Sequence, residues 1–106
     1  MDVARQLAHS GERFVEEQMV EEVGYSVDMR LLGRKVVVEV DGPSHYVQME
    51  KGRQWNGATR LKHNILSKMG WTVVHVPYFE WNRLKDDKAK KEYVSGLLGK
   101  IKGTPA

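Results

Sequence analysis

Alternating apolar positions mark two neighbouring strands. Across residues 25–32, Val27, Met29 and Leu31 take one side and Ser26, Asp28 and Arg30 the other. Across 35–41, Val36, Val38 and Val40 alternate with Val37, Glu39 and Asp41, because successive side chains of a strand point to opposite faces. Gly33-Arg34 between the runs is a two-residue loop with glycine first, the signature of a type II′ hairpin. Pairing outward from that loop sets Leu31 against Val36, Met29 against Val38 and Val27 against Val40. Every pair on that face is apolar, and a one-residue slip would bring charged residues onto it. Gly42-Pro43 ends the second strand.

The flanks follow a helical period. Ser10, then an acid and Phe14, Val15, Met19, Val20 and Val23, predict a first helix capped by Ser10 and ended by Gly24. Residues 3–7 either extend it or fray. Residues 58–69 predict a second helix with Leu61, Ile65, Leu66 and Met69 inward, Arg60, Lys62, His63 and Lys68 outside or at the margins, and Gly70 at its end. WTVVHVP, 71–77, reads as a buried strand closed by proline. The helix between makes a crossover, which sets this strand parallel to 35–41. Residues 79–82 form a short aromatic connection, and 88–102 a last helix with Val94, Leu97, Leu98 and Ile101 inward. The polar stretch 43–57 is long for so small a domain, which marks either function or a short hairpin. The predicted fold class is α/β, a small mixed β-sheet flanked by helices.

Composition narrows the setting. A chain of 106 residues makes one domain with a modest core. No apolar run approaches the ~20 residues of a membrane-spanning helix, and no signal core opens the chain. The start reads as a domain boundary within a longer protein, with residues 1–9 and 102–106 expected to fray. With no cysteine there are no disulfides and no thiolate zinc site. The net charge of +3 favours polyanions only weakly, so the distribution of charge matters more than its sum.

That distribution has one anomaly. The hairpin register puts Asp28 across from Glu39 and Ser26 across from Asp41. Facing Cβ atoms are ~5 Å apart, where like charges destabilise a pair, and Glu39 and Asp41 are ~7 Å apart along one face. Three acids there need a divalent cation, a nearby Lys or Arg, or a raised pKa. The functional version is a site for Mg²⁺ or Mn²⁺ that polarises a phosphodiester. The structural version makes Asp41-Gly42 a turn and pairs Glu39 with Arg30, Lys35 or Arg60. His45 is a general base or ligand, or it closes the turn. Lys51, Arg53 and Trp55 suit a phosphate clamp and a base-stacking ring, the combination single-stranded RNA needs; otherwise they form a solvated loop with Trp55 folded on the core. Arg60, Lys62 and His63 open the second helix, where free N–H groups favour a phosphate, or are ordinary surface charge. Trp71, Tyr78, Phe79 and Trp81 read as core and its lid, and Tyr78–Trp81 as an alternative docking segment for a protein.

The run VVVEVDGPSHY, followed by TRLKHNILSKMGWTVVHVPYFEW, resembles the RAP domain, over about residues 25–101. The order helix, acid-bearing hairpin, helix, strand is similar to the reduced core of the PD-(D/E)XK nuclease superfamily. The resemblance implies a restriction-endonuclease-like core close to that of very-short-patch repair endonucleases. It also implies an RNA-binding role in mitochondria or plastids, in RNA processing, stability or ribosomal RNA maturation, with helical repeats upstream. Carried across, Asp28 matches the first acid of the nuclease motif and Glu39 the second. Asp41 stands where the motif has lysine, Glu12 matches a helix-borne acid, and His45 resembles the histidine of the repair enzymes. Without the lysine, activation of water falls to His45 or a second metal. RNA binding is thus the first expectation, metal-dependent RNA cleavage the second and protein docking the third.

Overall fold

The valine-rich centre of the chain forms the middle of a four-stranded sheet. The structure, a computed structural model, describes residues 2–21, 24–50 and 52–102. Val23, Lys51 and the Ile101 side chain, given places above, lie outside what it describes. In order the elements are α1 (Asp2–His9), β1 (Phe14–Val20), β2 (Tyr25–Leu31), β3 (Val36–Asp41), a 3₁₀ turn (Pro43–His45), β4 (Tyr46–Met49), β5 (Gly52–Trp55), α2 (Gly57–Lys68), β6 (Thr72–Pro77), the single-turn α3 (Tyr78–Trp81) and α4 (Asp87–Lys102). The main sheet runs β1-β2-β3-β6, and β4 and β5 form a separate hairpin.

The predicted hairpin register holds: Met29 faces Val38 and Arg30 faces Val37. Gly33 takes the left-handed conformation, φ 77°, that its turn position demands. β3 and β6 pair in parallel, Glu39 beside His75, as the crossover requires. One face of the sheet is apolar: Met29, Leu31, Val36, Val38 and Val76 pack against Val3, Ala4 and Leu7 of α1, Val94 and Leu98 of α4, and Trp81. The other face meets α2 with a smaller cluster of Val20, Val27, Val37, Leu66 and Trp71.

Three regions depart from expectation, the first of them the N-terminal part of the chain. The predicted first helix over 10–23 is instead a strand: residues 14–20 pair antiparallel with β2, Phe14 against Leu31 and Val20 against Tyr25. The expected fraying segment 2–9 is the true first helix, held by the burial of Val3, Ala4 and Leu7. Ser10 therefore closes a helix rather than opening one. Its N–H bonds the Gln6 carbonyl and its hydroxyl the Leu7 carbonyl at 2.6 Å, and Gly11 follows at φ 86°. Glu12, placed above on a helix, lies in the link between α1 and β1.

The second correction concerns α2, whose length is as predicted but whose phase is not. Leu61 is 54% exposed and Met69 is exposed as well, while Leu66 is buried. The inward face carries Thr59, Lys62, His63 and Leu66. The third is Val27, expected beside Met29 and found in the cluster on the opposite face. The cause is local. Beyond Met29–Val38 the β2–β3 ladder is taken over by side chains: the Val40 N–H donates to Asp28 Oδ2 at 2.7 Å and the Asp28 N–H to Glu39 Oε2 at 3.2 Å. On the far side of β2 the ladder is also interrupted, at Glu17, which opposes Asp28 and has φ 50°.

Candidate functional site

The polar face of β3 was the sequence's anomaly, and the structure resolves it by proton donors. Asp41 is 1% exposed yet ionised-group chemistry fits it, because both carboxylate oxygens accept from imidazoles. His45 Nδ1–H donates to Oδ1 at 2.9 Å, and His75 Nδ1–H to Oδ2 at 2.6 Å. Burial alone would raise the Asp41 pKa, but these two bonds outweigh it and hold the carboxyl below its ordinary value.

The Asp41 carboxylate sets tautomers down a line of rings. A neutral His75 that gives its Nδ1–H to Asp41 has a bare Nε2, which accepts His63 Nδ1–H at 2.8 Å. The remaining His63 Nε2 then accepts from the Ser67 hydroxyl at 3.5 Å, at the far limit of such a bond. Burial and the facing His75 lower the His63 pKa, against a smaller opposing pull from Asp41, so the neutral form is favoured. The Trp55 ring lies over both imidazoles, centroids 4.4 Å from His75 and 5.0 Å from His63.

Glu39, 4% exposed, is paired with Lys62 from α2. Burial raises its pKa, with the lysine pulling the other way. This pair explains the phase of α2: the helix turns a lysine and a histidine inward because the sheet below offers carboxylates and an imidazole. A purely apolar count along 58–69 finds Leu66 but turns Leu61 and Met69 to the sheet in place of Lys62 and His63.

The hairpin and helix are fastened to this face by Asn56. Its backbone N–H bonds the His45 carbonyl at 2.8 Å, its side-chain N–H the Ser44 carbonyl at 2.6 Å, and its Oδ1 accepts the Thr59 N–H at 2.8 Å, capping α2. Between the first turns of α2 and the sheet lies a cavity of about 240 Å³, lined among others by Glu39, Asp41, His45, Lys62, His63 and His75.

Of the residues singled out in the sequence, Glu39, Asp41, His45, Lys62 and His63 therefore meet. Asp28 and Glu12 do not line the cavity, and neither do Arg53, Trp55 and Arg60. Lys51 lies outside the described residues. The stretch 43–57 contains the hairpin β4–β5, and Arg53 on it stacks its guanidinium over Phe79 at 4.7 Å and Tyr78 at 5.8 Å. Trp81 and Trp71 are buried, as core, and Tyr78 and Phe79 pack on Tyr46. The proposed docking segment is thus largely engaged within the chain. His75 was missed, although parallel pairing of β6 with β3 would have placed this ionisable residue of an apolar run beside Glu39.

The acids were expected to share a Mg²⁺ or Mn²⁺. Asp28 is held on the Val40 N–H, Glu39 on Lys62 and the Asp28 N–H, and Asp41 on two imidazole N–H groups. Among the described residues no group of three or more His, Asp or Glu is placed to hold a metal ion. These carboxylates accept from a set of N–H donors that a cation would have to displace.

A mixed sheet with one acid-bearing hairpin, a crossover helix and flanking helices is the architecture of an endonuclease-like α/β domain. The solved catalytic domain of homing endonuclease I-Bth0305I has a similar fold, with a TM-score of 0.59 over 86% of this chain and 84% of that one; at 24% identity this shows the fold alone. Residues 38–97, from the middle of β3 into α4, match the RAP domain, and the chain belongs to that family. It is 32% identical over 98 residues to a chloroplastic RAP domain-containing protein of Oryza sativa subsp. japonica. The match takes in 92% of this chain and 15% of the relative, so the chain spans about 15% of the length of the curated relative it matches.

Proposed function

We propose that this RAP domain binds single-stranded RNA in a plastid, as one module of a longer protein that processes, stabilises or matures RNA. The carrying observation is the cavity between α2 and the sheet. It is lined by flat polar rings, His45, His63, His75 and Tyr25, and by Asn56 and Lys62. A space of about 240 Å³ suits one nucleobase turned out of a single strand and is closed to a duplex. Rings and an amide can stack and read a base edge, and Arg53, stacked and exposed on the neighbouring hairpin, can hold a phosphate. Membership of the RAP family supports the RNA, and the chloroplastic relative the compartment.

The test is binding of a fluorescent single-stranded RNA by the domain, compared with an Asn56→Ala, His63→Ala variant and with Arg53→Gln. Binding that weakens with salt and falls in both variants supports the proposal; equal affinity of RNA for all three proteins at low salt overturns the assignment of the site. The same reactions with Mg²⁺ or Mn²⁺ ask whether RNA is cut, and whether Asp41→Asn abolishes the cutting.

A further inference from the structure

At the other end of the sheet, the β2–β3 turn bounds a second cavity of about 460 Å³. Arg30, Arg34, Lys35 and Trp71 line it, with Val15 and Leu32 as an apolar wall. Three cations and no carboxylate face this space, whereas Glu39 and Asp41 line the cavity under α2. The cations are not idle surface charge. The Arg30 guanidinium lies 4.9 Å from the Trp71 ring centroid and the Lys35 ammonium 5.5 Å from it. A guanidinium held over an indole keeps N–H groups for an oxyanion and loses little freedom on binding one. Lys35 is anchored as well: it donates to the Met69 carbonyl at the end of α2, at 2.6 Å, which leaves it further N–H donors. Gly70, at φ 89°, gives the lysine room, since a Cβ there would come within 3.3 Å of the ammonium.

The floor supplies the second observation. Trp71 is 5% exposed, and its indole N–H is buried with no hydrogen-bond partner. A buried donor without an acceptor is costly, and the ring that carries it lines this groove beneath two cations, so an anionic oxygen drawn to Arg30 and Lys35 comes against the indole.

We propose that this groove is a phosphate site, taking a backbone phosphodiester of the bound RNA on Arg30, Arg34 and Lys35, with Val15 and Leu32 against the adjoining sugar. The ligand's identity as RNA rests on the function proposed above; the anion site rests on the groove alone. The strand then meets the domain at two places, one reading a base and one holding the backbone.

The experiment uses oligouridine RNA and, separately, inorganic pyrophosphate, read by the Trp71 indole resonance in ¹H–¹⁵N spectra and by affinity against salt. Wild type is compared with Arg30→Gln, Arg34→Gln and with Trp71→Phe, which keeps a ring but removes the N–H. Melting curves confirm that each variant is folded. Expected are a Trp71 indole shift with either ligand and roughly tenfold weaker RNA binding by the double variant. The slope of log affinity against log salt should fall by about 1.4, two contacts at about 0.7 each. RNA bound equally by the double variant, with an unmoved indole, overturns the groove and leaves the RNA function standing. Pyrophosphate shifting the indole in a protein that binds no RNA supports the anion site and overturns the function.

Discussion

The two faces of β3 are built on opposite principles. Val36, Val38 and Val40 look towards α1 and α4, into a cluster of aliphatic side chains and Trp81 where shape decides the fit. Val37, Glu39 and Asp41 look towards α2, where two buried carboxylates are held by one lysine and two imidazoles. The first face stabilises by removing area from water, which any well-shaped apolar residue can do. The second gives up that generality for a fixed arrangement of protons, because each buried charge is tolerable only while its partner stays. One strand thus carries a structural side and a chemical side, and the RAP match begins on it at residue 38.

The largest test of that contrast removes a partner. Lys62→Met leaves the Glu39 carboxylate buried and unpaired, which is expected to cost about 4 kcal/mol in urea unfolding at pH 7. The sign with pH is fixed by the chemistry. Burial raises the Glu39 pKa, and without the lysine's opposing pull it rises further. A carboxyl with a raised folded pKa takes its proton in the folded state first, so the variant should recover stability as the pH falls towards that pKa. The double variant Lys62→Met, Glu39→Gln should recover much of the loss at pH 7. A loss unchanged by either manipulation would make Lys62 a packing residue only.

On the apolar face the matching change is Met29→Ala, at a fully buried position. It is expected to cost about 3 kcal/mol, from lost transfer free energy plus the cavity left behind. That cost should be the same at pH 5 and pH 7, since no titrating group is involved, and RNA affinity at temperatures where the variant is folded should not change. A pH-dependent penalty here would erase the distinction between the faces.

Legibility in the sequence follows the same division. Where burial was apolar, alternation gave the β2–β3 register, because a slip would have put charge into the core, and the crossover helix gave the parallel β6. It failed at β1, whose exposed Val15 and Met19 mimic a helical stripe while Glu17 leaves the ladder. The polar face was legible as an anomaly and not as a solution. Glu39, Asp41 and His45 announced themselves as unbalanced acids beside a histidine, but their partners Lys62 and His75 come from elements whose phase depends on the acids. No count of hydrophobic positions can find a helix face chosen for its lysine. Asp28 looked equivalent to Glu39 and serves instead to bond the Val40 N–H of the opened ladder.

A smaller effect concerns the imidazole line. Burial and His75 hold the His63 pKa below that of a free histidine. A group with a depressed folded pKa and a positive charge when protonated binds its proton more readily when unfolded, so stability falls as pH drops through the unfolded value near 6.5. His63→Gln, which keeps a polar side chain beside His75, should therefore flatten the decline in stability between pH 7 and pH 5.5. Denaturant midpoints taken at half-unit pH steps measure this. An unaltered slope would mean that His63 does not report on the relay.

The smallest expected effect decides between two readings of α2. If apolar count set the helix phase, Leu61 would be core, and Leu61→Lys would bury a charge and unfold the domain. With the helix turned by the Glu39–Lys62 pair, Leu61 stands 54% exposed, and the same change should shift stability by no more than about 0.5 kcal/mol. The substitution adds a cation to the α2 surface without touching a cavity-lining residue, so it leaves the relay intact. A melting temperature within a few degrees of wild type, beside the large loss in Lys62→Met, would show that the Glu39–Lys62 pair, together with buried Leu66, sets the phase of this twelve-residue helix. A loss comparable to that of Lys62→Met would make Leu61 the core residue that the apolar count expects.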